Sequence, residues 1–305
     1  MLKLFLKILI TVAILFVIAR SIDLSTVMSV VQNMQPKYLI LALAMQLISA
    51  VLASYRWFLI MQRLKFGLSP LFYLKSYLKG SFFNQALPGG IGGDAYRVLE
   101  CSAHGSGRKA AFYGVLLDRI LGLIGLLLLN LLANLAYPDL LPTAIFHILN
   151  SISLGGIAAV IMFALLGKID KLAKFKFTRH LHEISADMRR VYHDPQAIGL
   201  HSILSILIHF VSMLAIYFIG TGVGLNYGLL TFLVLVPPVI LLTIAPISLA
   251  GWGVREGGMI GLFLLIGADK ALVLSMSVLY GLVLLAASLP GLYLFLVSKQ
   301  KSEQK

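Results

Sequence analysis

The stretch Pro88-Gly89-Gly90-Ile91-Gly92-Gly93-Asp94-Ala95-Tyr96-Arg97 interrupts a long apolar region with helix-breaking and charged residues. A related stretch, Pro246-Ile247-Ser248-Leu249-Ala250-Gly251-Trp252-Gly253-Val254-Arg255, begins 158 residues later. Both read proline, three residues, a small residue, glycine, three residues, arginine. Such residues are costly inside a membrane unless they have a purpose. The repeat therefore predicts a translocation site built from two related halves.

Composition identifies an integral membrane protein. The 305-residue chain is 59% hydrophobic and 12% charged, with a mean hydropathy of +0.94, whereas soluble domains carry about 25% charged residues. The formal net charge of +13 could suggest a nucleic-acid partner. We expect none, because the basic residues fall in short loops on one side of the apolar runs. The single Cys101 allows no intrachain disulfide.

The apolar runs predict an all-α protein with six full transmembrane helices. Each is near the length that crosses a bilayer, about 20 residues; they are 4–19, 38–60, 111–136, 143–166, 198–221 and 271–297. We interpret the first as an uncleaved span, since Ala19-Arg20-Ser21 is a poor signal-peptide cleavage site. Two irregular runs, 71–87 and 229–250, are followed by short helical stretches at 94–104 and 254–267. These predict two re-entrant hairpins.

The basic residues predict the orientation of the spans. With the N-terminus in the cytoplasm, all but four of the 25 lysines and arginines lie on the cytoplasmic side. The exceptions are Arg20, Lys37, Arg255 and Lys270. Both termini are therefore predicted to face the cytoplasm, in the cytoplasmic membrane. A model with eight full spans has the same orientation, so charge alone does not separate the two.

The flanking spans extend the repeat. A shift of 158 residues moves 38–60 onto the fifth run and 111–136 onto the last. The unit of span, hairpin and span thus occurs twice, in opposite orientations. This predicts an inverted repeat in a single membrane domain, 1–305, with halves at about 1–136 and 143–298. Coincidence among glycine-rich membrane segments is the alternative.

A basic cytoplasmic linker, 167–195, separates the halves. It mixes seven lysines and arginines with Leu172, Phe175, Phe177, Leu181 and Ile184. One interpretation is a solvated loop with a surface helix. The other is an interfacial helix that binds anionic lipid head groups.

The first hairpin carries candidate substrate-binding residues. Asn84 ends its first helix, and Gly92 and Gly93 permit close approach of a ligand. Asp94 is a good N-cap, which would place Arg97 in the first turn of the next helix. The free N–H groups and dipole of a helix N-terminus suit a phosphate, and an arginine can hold it bidentately.

The second hairpin repeats the pattern with Gly251, Gly253, Arg255 and Glu256. Alternatively, Arg97 and Arg255 pair with nearby carboxylates and lock the hairpins; both roles can coexist. We expect residues 84–97 and 243–256 to meet near the membrane midplane.

Charged residues within the spans are further candidates. Arg56 is a third candidate for binding an anionic head group. Asp118 lies about two turns into an apolar helix, so it is expected to face protein or water. It could pair with Arg56, Arg97 or Arg119, or carry a coupling proton.

No enzyme motif is evident. The glycine-rich stretches match neither the P-loop nor the dinucleotide fingerprint, and His180, His182 and Glu183 lack the spacing of a zinc helix. No nucleophile elbow is present. We therefore expect no enzymatic activity, no cofactor and no metal.

Four segments carry a family resemblance: Ser54-Tyr55-Arg56-Trp57, 84–97, Asp118-Arg119 with Gly122, and 246–256. They resemble the integral membrane family that includes the transmembrane domain of bacterial lysylphosphatidylglycerol synthase, also called UPF0104. The resemblance implies movement of lipid between leaflets. It does not imply aminoacylation, because nothing in this sequence corresponds to the soluble domain of the synthase. Relatives act on several lipid classes, so the substrate does not follow.

These observations favour a lipid translocator whose partner is a lipid with an anionic or phosphate-bearing head group. A membrane partner that presents lipid to a separate glycosyltransferase or aminoacyl transferase is the second hypothesis. A membrane-embedded transferase is the third. The sequence does not indicate the oligomeric state.

Overall fold

The computed structural model describes residues 24–86, 91–169, 176–245, 248 and 250–303. Over these residues the chain is all-α, without strands, as predicted. The predicted first span, 4–19, lies outside them. The α-helices are α1 (Leu24–Asn33), α2 (Pro36–Arg63), α3 (Pro70–Ala86), α4 (Gly92–Cys101), α5 (Arg108–Ala136), α6 (Thr143–Leu166), α7 (Lys176–Val191), α8 (Pro195–Gly222), α9 (Leu229–Ile244), α10 (Val254–Leu264) and α11 (Lys270–Glu303).

Five of these helices are long and apolar enough to cross a membrane: α2, α5, α6, α8 and α11. They confirm five of the predicted spans. Four of the five helices are longer than the apolar runs, because polar ends such as Arg63 continue the same helix; α6 has the predicted bounds. At a rise of about 1.5 Å per residue, the 28 residues of α2 exceed the roughly 30 Å hydrocarbon core. Helix α6 is the least buried span, so it lies at the edge of the bundle.

Helices α2 and α8 pack against each other in antiparallel orientation at the centre of the bundle. The Ser49 hydroxyl near the middle of α2 donates to the Ile208 carbonyl near the middle of α8 (3.1 Å). Gln46, earlier in α2, accepts from Ser212, later in α8 (3.3 Å). Buried serines that bond to backbone or amide oxygens satisfy both helices without water.

Helices α3 and α4 form an antiparallel hairpin. Near its tip, the Asn84 side chain accepts from Gly93 N (2.8 Å), and a Cβ on Gly93 would lie 2.0 Å from the Gly80 carbonyl oxygen. At the open end the rings of Phe72 and His104 are 4.8 Å apart. The glycines are therefore required where the two backbones touch. The turn itself, residues 87–90, lies outside the described residues.

Helices α9 and α10 form a second antiparallel hairpin. The Phe232 and Phe263 rings meet edge to face at 5.5 Å at its open end, and Gly258 lies against the Val239 side chain nearer the tip. Helix α9 carries Pro237 and Pro238 within it. Gly251 and Gly253, at φ 80° and 84°, lie in the left-handed region that glycine adopts without strain.

Each hairpin packs on a span from the other half of the chain. Gly291 of α11 lies directly on the backbone of α3, where a Cβ would be 1.9 Å from the Leu78 carbonyl oxygen. Asn130 of α5 donates to the Val234 carbonyl of α9 (2.9 Å). The two halves are thus interleaved in one bundle.

Helix α7 occupies the described part of the basic linker. Its apolar face, with Ile184, Met188 and Val191, packs on α5 against Leu117 and Leu121. The described part of the linker therefore contains a surface helix, and this face of α7 is covered by protein rather than lipid. Leu181 remains exposed.

Polar contacts at the middle of α7 hold it against the start of α5. The Glu183 carboxylate accepts from Lys109 (2.6 Å) and from the Tyr113 hydroxyl (2.8 Å). The Lys109 ammonium and the Tyr113 hydroxyl hold the pKa of Glu183 below its usual range.

Candidate functional site

A buried charge cluster joins α2, α4 and α5. Asp118, 2% exposed, accepts from Arg56 Nε through Oδ1 (3.0 Å) and from Arg97 Nη2 through Oδ2 (2.7 Å). Arg56 also donates to the Asp118 carbonyl (3.0 Å) and to the Ser205 hydroxyl (3.1 Å). Of the partners expected for Asp118, Arg56 and Arg97 are therefore present. One carboxylate holds two buried guanidinium groups.

Aromatic rings complete the surroundings of Arg97. Its guanidinium carbon lies 3.9 Å from the centre of the Trp57 ring and 5.0 Å from that of Tyr77. Stacking on aromatic faces suits the planar, weakly hydrated guanidinium. Arg97 Nε is buried and has no hydrogen-bond partner among the described residues. One donor of Arg97 is thus unused inside the cluster.

Asp94 and Arg119 extend this cluster towards the surface. Arg119, whose side chain is half exposed, donates to both carboxylate oxygens of Asp94 (2.7 and 2.9 Å). Asp94 also accepts from Arg97 (3.3 Å). The expectation that Asp94 caps α4 is wrong, because α4 begins at Gly92 and Ile91 occupies the N-cap position without a side-chain bond. Asp94 instead bridges two arginines.

The start of α4 is partly satisfied from within the protein. Gly93 N donates to Asn84, so one N–H group that could hold a phosphate is already occupied. Asn84 therefore has a structural role at the hairpin tip.

A second cluster surrounds Arg255. Its Nε and Nη2 both donate to Glu256 Oε1 (3.0 and 2.7 Å), and Ser277 donates to the same oxygen (3.1 Å). Glu256 Oε2 accepts from Gly253 N at the start of α10 (2.5 Å). The guanidinium lies over the Trp252 ring at 4.7 Å. Both arginines named from the hairpins thus pair with carboxylates, the locking role that sequence left open.

The two clusters lie at different levels of the bundle and share none of the partners named above. Helix α11 contacts both: Gly281 faces Arg255 and Trp252, whereas Phe295 faces Tyr96 (6.0 Å between rings). Fourteen residues of helix separate these positions, a rise of about 21 Å. A single midplane site where 84–97 meets 243–256 is therefore replaced by two separate clusters.

Polar residues on one face of α8 connect the two levels. Ser205 contacts Arg56, His209 Nε2 lies 2.8 Å from the Gly122 carbonyl, and Ser212 lies 3.3 Å from the Tyr280 hydroxyl. The Tyr280 ring is 5.8 Å from Arg255. We call Ser205, His209, Ser212 and Tyr280 the polar ladder. Ser205, His209 and Ser212 are spaced by four and three residues along α8, which is the sequence signal for these three positions; Tyr280 lies on α11.

The charges of the two clusters differ. The first combines Arg56, Arg97 and Arg119 with two carboxylates, so it carries one excess positive charge. The second pairs Arg255 with Glu256 and is neutral. A buried positive excess favours an anion close by, because unpaired charge in a low-dielectric environment is costly.

Comparison with known proteins places the chain among membrane proteins of one family. The family model described as "Lysylphosphatidylglycerol synthase TM region" matches residues 4–291. A UPF0104 membrane protein of Pyrococcus horikoshii is 26% identical over 279 residues, covering 80% of this chain and 81% of the relative.

Proposed function

We propose that this chain, which belongs to the lysylphosphatidylglycerol synthase TM-region family, is a lipid translocator of the cytoplasmic membrane. It would move a lipid with an anionic head group between leaflets without a chemical step. The observation that carries this proposal is the excess positive charge of Arg56 and Arg97, two buried guanidinium groups that share the Asp118 carboxylate inside a bundle of apolar spans. Charged groups at such depth are typical of a substrate pathway.

Helix boundaries support an inverted repeat. Helices α2 and α8 have 28 residues each and begin with Pro36 and Pro195, 159 positions apart. Helices α3 and α9 also begin 159 positions apart. Ser49 and Ile208, which contact each other, are each the fourteenth residue of their helix. Contact between equivalent residues of antiparallel helices is what a two-fold axis between the halves would produce.

The packing of each hairpin against a span of the opposite half also supports an inverted repeat. Helix α11 lies on α3, and α5 lies on α9, so each hairpin contacts the closing span of the opposite half. We propose that both hairpins re-enter the membrane on their side of entry. Helix α4 is too short to span, at 10 residues, since a span needs about 20.

The polar ladder gives the head group a route between the clusters. An anionic head group would first replace part of the pairing between Arg97 and its carboxylates. It would then pass Ser205, His209 and Ser212 to reach Arg255. The acyl or prenyl tails would stay in lipid, and the two halves would rock against each other to alternate access. When no lipid is bound, the arginines would pair again with their carboxylates, and these ion pairs would close the path.

A second candidate function is presentation of lipid to a separate lipid-modifying enzyme. The exposed polar face of α7 favours it, because Arg190, 71% exposed and paired only with Asp187 among the described contacts, extends from the end predicted to be cytoplasmic. This candidate predicts loss of product formation, with leaflet exchange intact, when the basic residues of α7 are neutralised.

Leaflet exchange in proteoliposomes tests the proposal. Fluorescent phosphatidylglycerol is followed by reduction of the outer-leaflet label in the wild type, Arg97→Gln and Arg255→Gln. We expect exchange to fall at least tenfold in both variants, the value of one charge-assisted hydrogen bond. Lys37→Gln, at the start of α2, is the control. Unchanged exchange in both arginine variants would reject the roles of these residues.

A further inference from the structure

A polar cavity lies at the end of the bundle that the charge distribution predicts to be cytoplasmic. It occupies about 540 Å³ between the end of α2 and the start of α8, a size within the range of ligand-binding clefts. Gln62, Arg63 and Lys65 line it from α2 and the turn that follows, and Ala197 and His201 line it from α8. We call it the α2–α8 pocket.

The charge of the α2–α8 pocket is positive. Arg63 and Lys65 are exposed, and neither forms a salt bridge within the part of the chain that the structure describes. The Asp194 carboxylate, which interacts electrostatically with Arg63, is engaged by Ala197 N (2.6 Å) and His193 (2.6 Å). No acidic side chain lines the pocket. The lining of the pocket therefore carries two cations, Arg63 and Lys65, and no carboxylate.

A buried side chain in the wall has an unused hydrogen-bonding atom. His201 is 2% exposed, and its Nδ1 has no hydrogen-bond partner among the described residues. Buried polar atoms are nearly always satisfied in folded proteins. His201 lines this cationic cavity, so its unsatisfied imidazole nitrogen is consistent with a polar ligand there.

The backbone at Lys65 points to the same conclusion. Lys65 has φ 65° at the C-terminal turn of α2, where Phe66 N donates to the Met61 carbonyl (2.9 Å). This left-handed position normally takes glycine. The matching turn after α8 does carry glycine, Gly224, at φ 97°. A lysine kept at a strained position beside a cavity is explained if its charge is used there.

We propose that the α2–α8 pocket binds a phosphate group, with Arg63 and Lys65 as charge partners and His201 as an additional hydrogen-bonding group. Phosphate offers the acceptor oxygens that guanidinium and ammonium groups bind. The phosphate belongs to a lipid head group or to a soluble phosphate compound. The pocket is distinct from the Arg97 and Arg255 clusters, and its binding does not depend on translocation.

The sharpest variant is Lys65→Gly. Glycine suits the φ of this position, so the substitution removes the charge while favouring the fold. Any loss of binding is then not a loss of folding. Arg63→Gln is the second variant. Arg108→Gln, exposed at the start of α5 and outside the pocket, is the control that removes the same charge.

Two binding measurements on the full-length protein separate the ligand sources. Inorganic phosphate is titrated by calorimetry into detergent-solubilised protein, and phosphatidylglycerol retention against phosphatidylcholine is measured by native mass spectrometry. We expect Lys65→Gly and Arg63→Gln to weaken either phosphate binding or phosphatidylglycerol binding about tenfold. Arg108→Gln should bind both as the wild type does. Loss of phosphate binding identifies a soluble ligand, and loss of phosphatidylglycerol retention a lipid head group. The proposal is overturned if neither probe binds, or if Lys65→Gly and Arg63→Gln bind as the wild type does.

Neither binding measurement involves transport, so both results are independent of the leaflet-exchange test. A protein that binds phosphate here but exchanges no lipid would leave this site intact and reject the proposed function.

Discussion

Replacing Asp118 with asparagine tests the charge cluster most sharply. The asparagine has nearly the same shape and can still accept one hydrogen bond, but it removes the only carboxylate that Arg56 contacts among the described residues. Arg56 and Arg97 are 5% and 3% exposed, so solvent cannot compensate either guanidinium. The substitution therefore leaves the buried Arg56 and Arg97 without the Asp118 carboxylate. The remaining carboxylate near Arg97 is Asp94, which also pairs with the half-exposed Arg119.

The size of the effect follows from this burial. Breaking a buried ion pair by removing one partner costs about 3–5 kcal/mol. Arg97 keeps Asp94 at 3.3 Å and the Trp57 ring at 3.9 Å, so we expect the lower part of that range, about 3 kcal/mol. At the usual scaling for chains of this size, the unfolding midpoint would fall by about 6–12 °C.

Trp57 provides the assay. The Arg97 guanidinium lies on its ring, so the emission of this tryptophan reports both unfolding and displacement of Arg97. Thermal unfolding of the detergent-solubilised protein is followed for the wild type, Asp118→Asn, Arg56→Gln and the double variant. We expect a coupling energy between positions 56 and 118 of about 2 kcal/mol or more.

Arg119→Gln is the matched control for this experiment. Arg119 neighbours Asp118 in sequence, but its side chain is half exposed and its pair with Asp94 is worth about 0–1 kcal/mol. A free energy of unfolding for Asp118→Asn within 0.5 kcal/mol of the wild type would refute the reasoning. So would a larger effect of Arg119→Gln than of Asp118→Asn.

Three further predictions concern packing and pH. Gly291→Ala should destabilise by about 1–3 kcal/mol, because its Cβ meets the α3 backbone at 1.9 Å; equal thermal stability would count against the packing of α11 on α3. Gly155→Ala, with nothing within 4 Å of its Cβ, should be neutral or stabilising by up to about 1 kcal/mol in the same assay. The pKa of Glu183 is lowered in the folded protein, so the ionised carboxylate stabilises α7. This stabilisation is fully present above the unfolded-state pKa of Glu183 and is lost as the pH falls through the lower, folded-state pKa. A fluorophore at position 181 should therefore report release of α7 in acid, and a Glu183→Gln variant with the same acid response as the wild type would contradict this.

The spans could be predicted from sequence because the bilayer sets their length. Runs such as 111–136 and 143–166 need only the hydrocarbon thickness to be recognised, and the structure ends α5 and α6 at the same residues, Ala136 and Leu166. The short helix α1 was missed, because its ten residues form neither a span nor part of the repeat. The hairpins were visible through glycine and proline, whose backbone properties are local.

The partners of the arginines could be predicted only in part. The sequence identified Asp118 as a buried charge with three possible partners, Arg56, Arg97 and Arg119. It did not determine that Arg56 and Arg97 share the carboxylate. Ser205 was missed because it lies 149 residues from Arg56 in the chain and carries no charge. Its contact depends on where α2 and α8 cross, which no local pattern encodes.

The separation of the two clusters was also beyond the sequence. Matching motifs at Arg97 and Arg255 indicate equivalent roles, but they do not determine depth. The proposed inverted repeat would place equivalent residues at equal heights on opposite sides of the membrane midplane. Ser49 and Ile208, which meet where α2 and α8 cross, would lie near the axis of that repeat.

The rate of leaflet exchange by the purified wild-type protein tests the central claim most directly. In proteoliposomes without other proteins or nucleotides, labelled phosphatidylglycerol and labelled phosphatidylcholine are compared under identical conditions. A translocator with a positive buried cluster should exchange phosphatidylglycerol well above protein-free vesicles, and faster than phosphatidylcholine. Exchange of phosphatidylglycerol at the rate of protein-free vesicles would contradict the account.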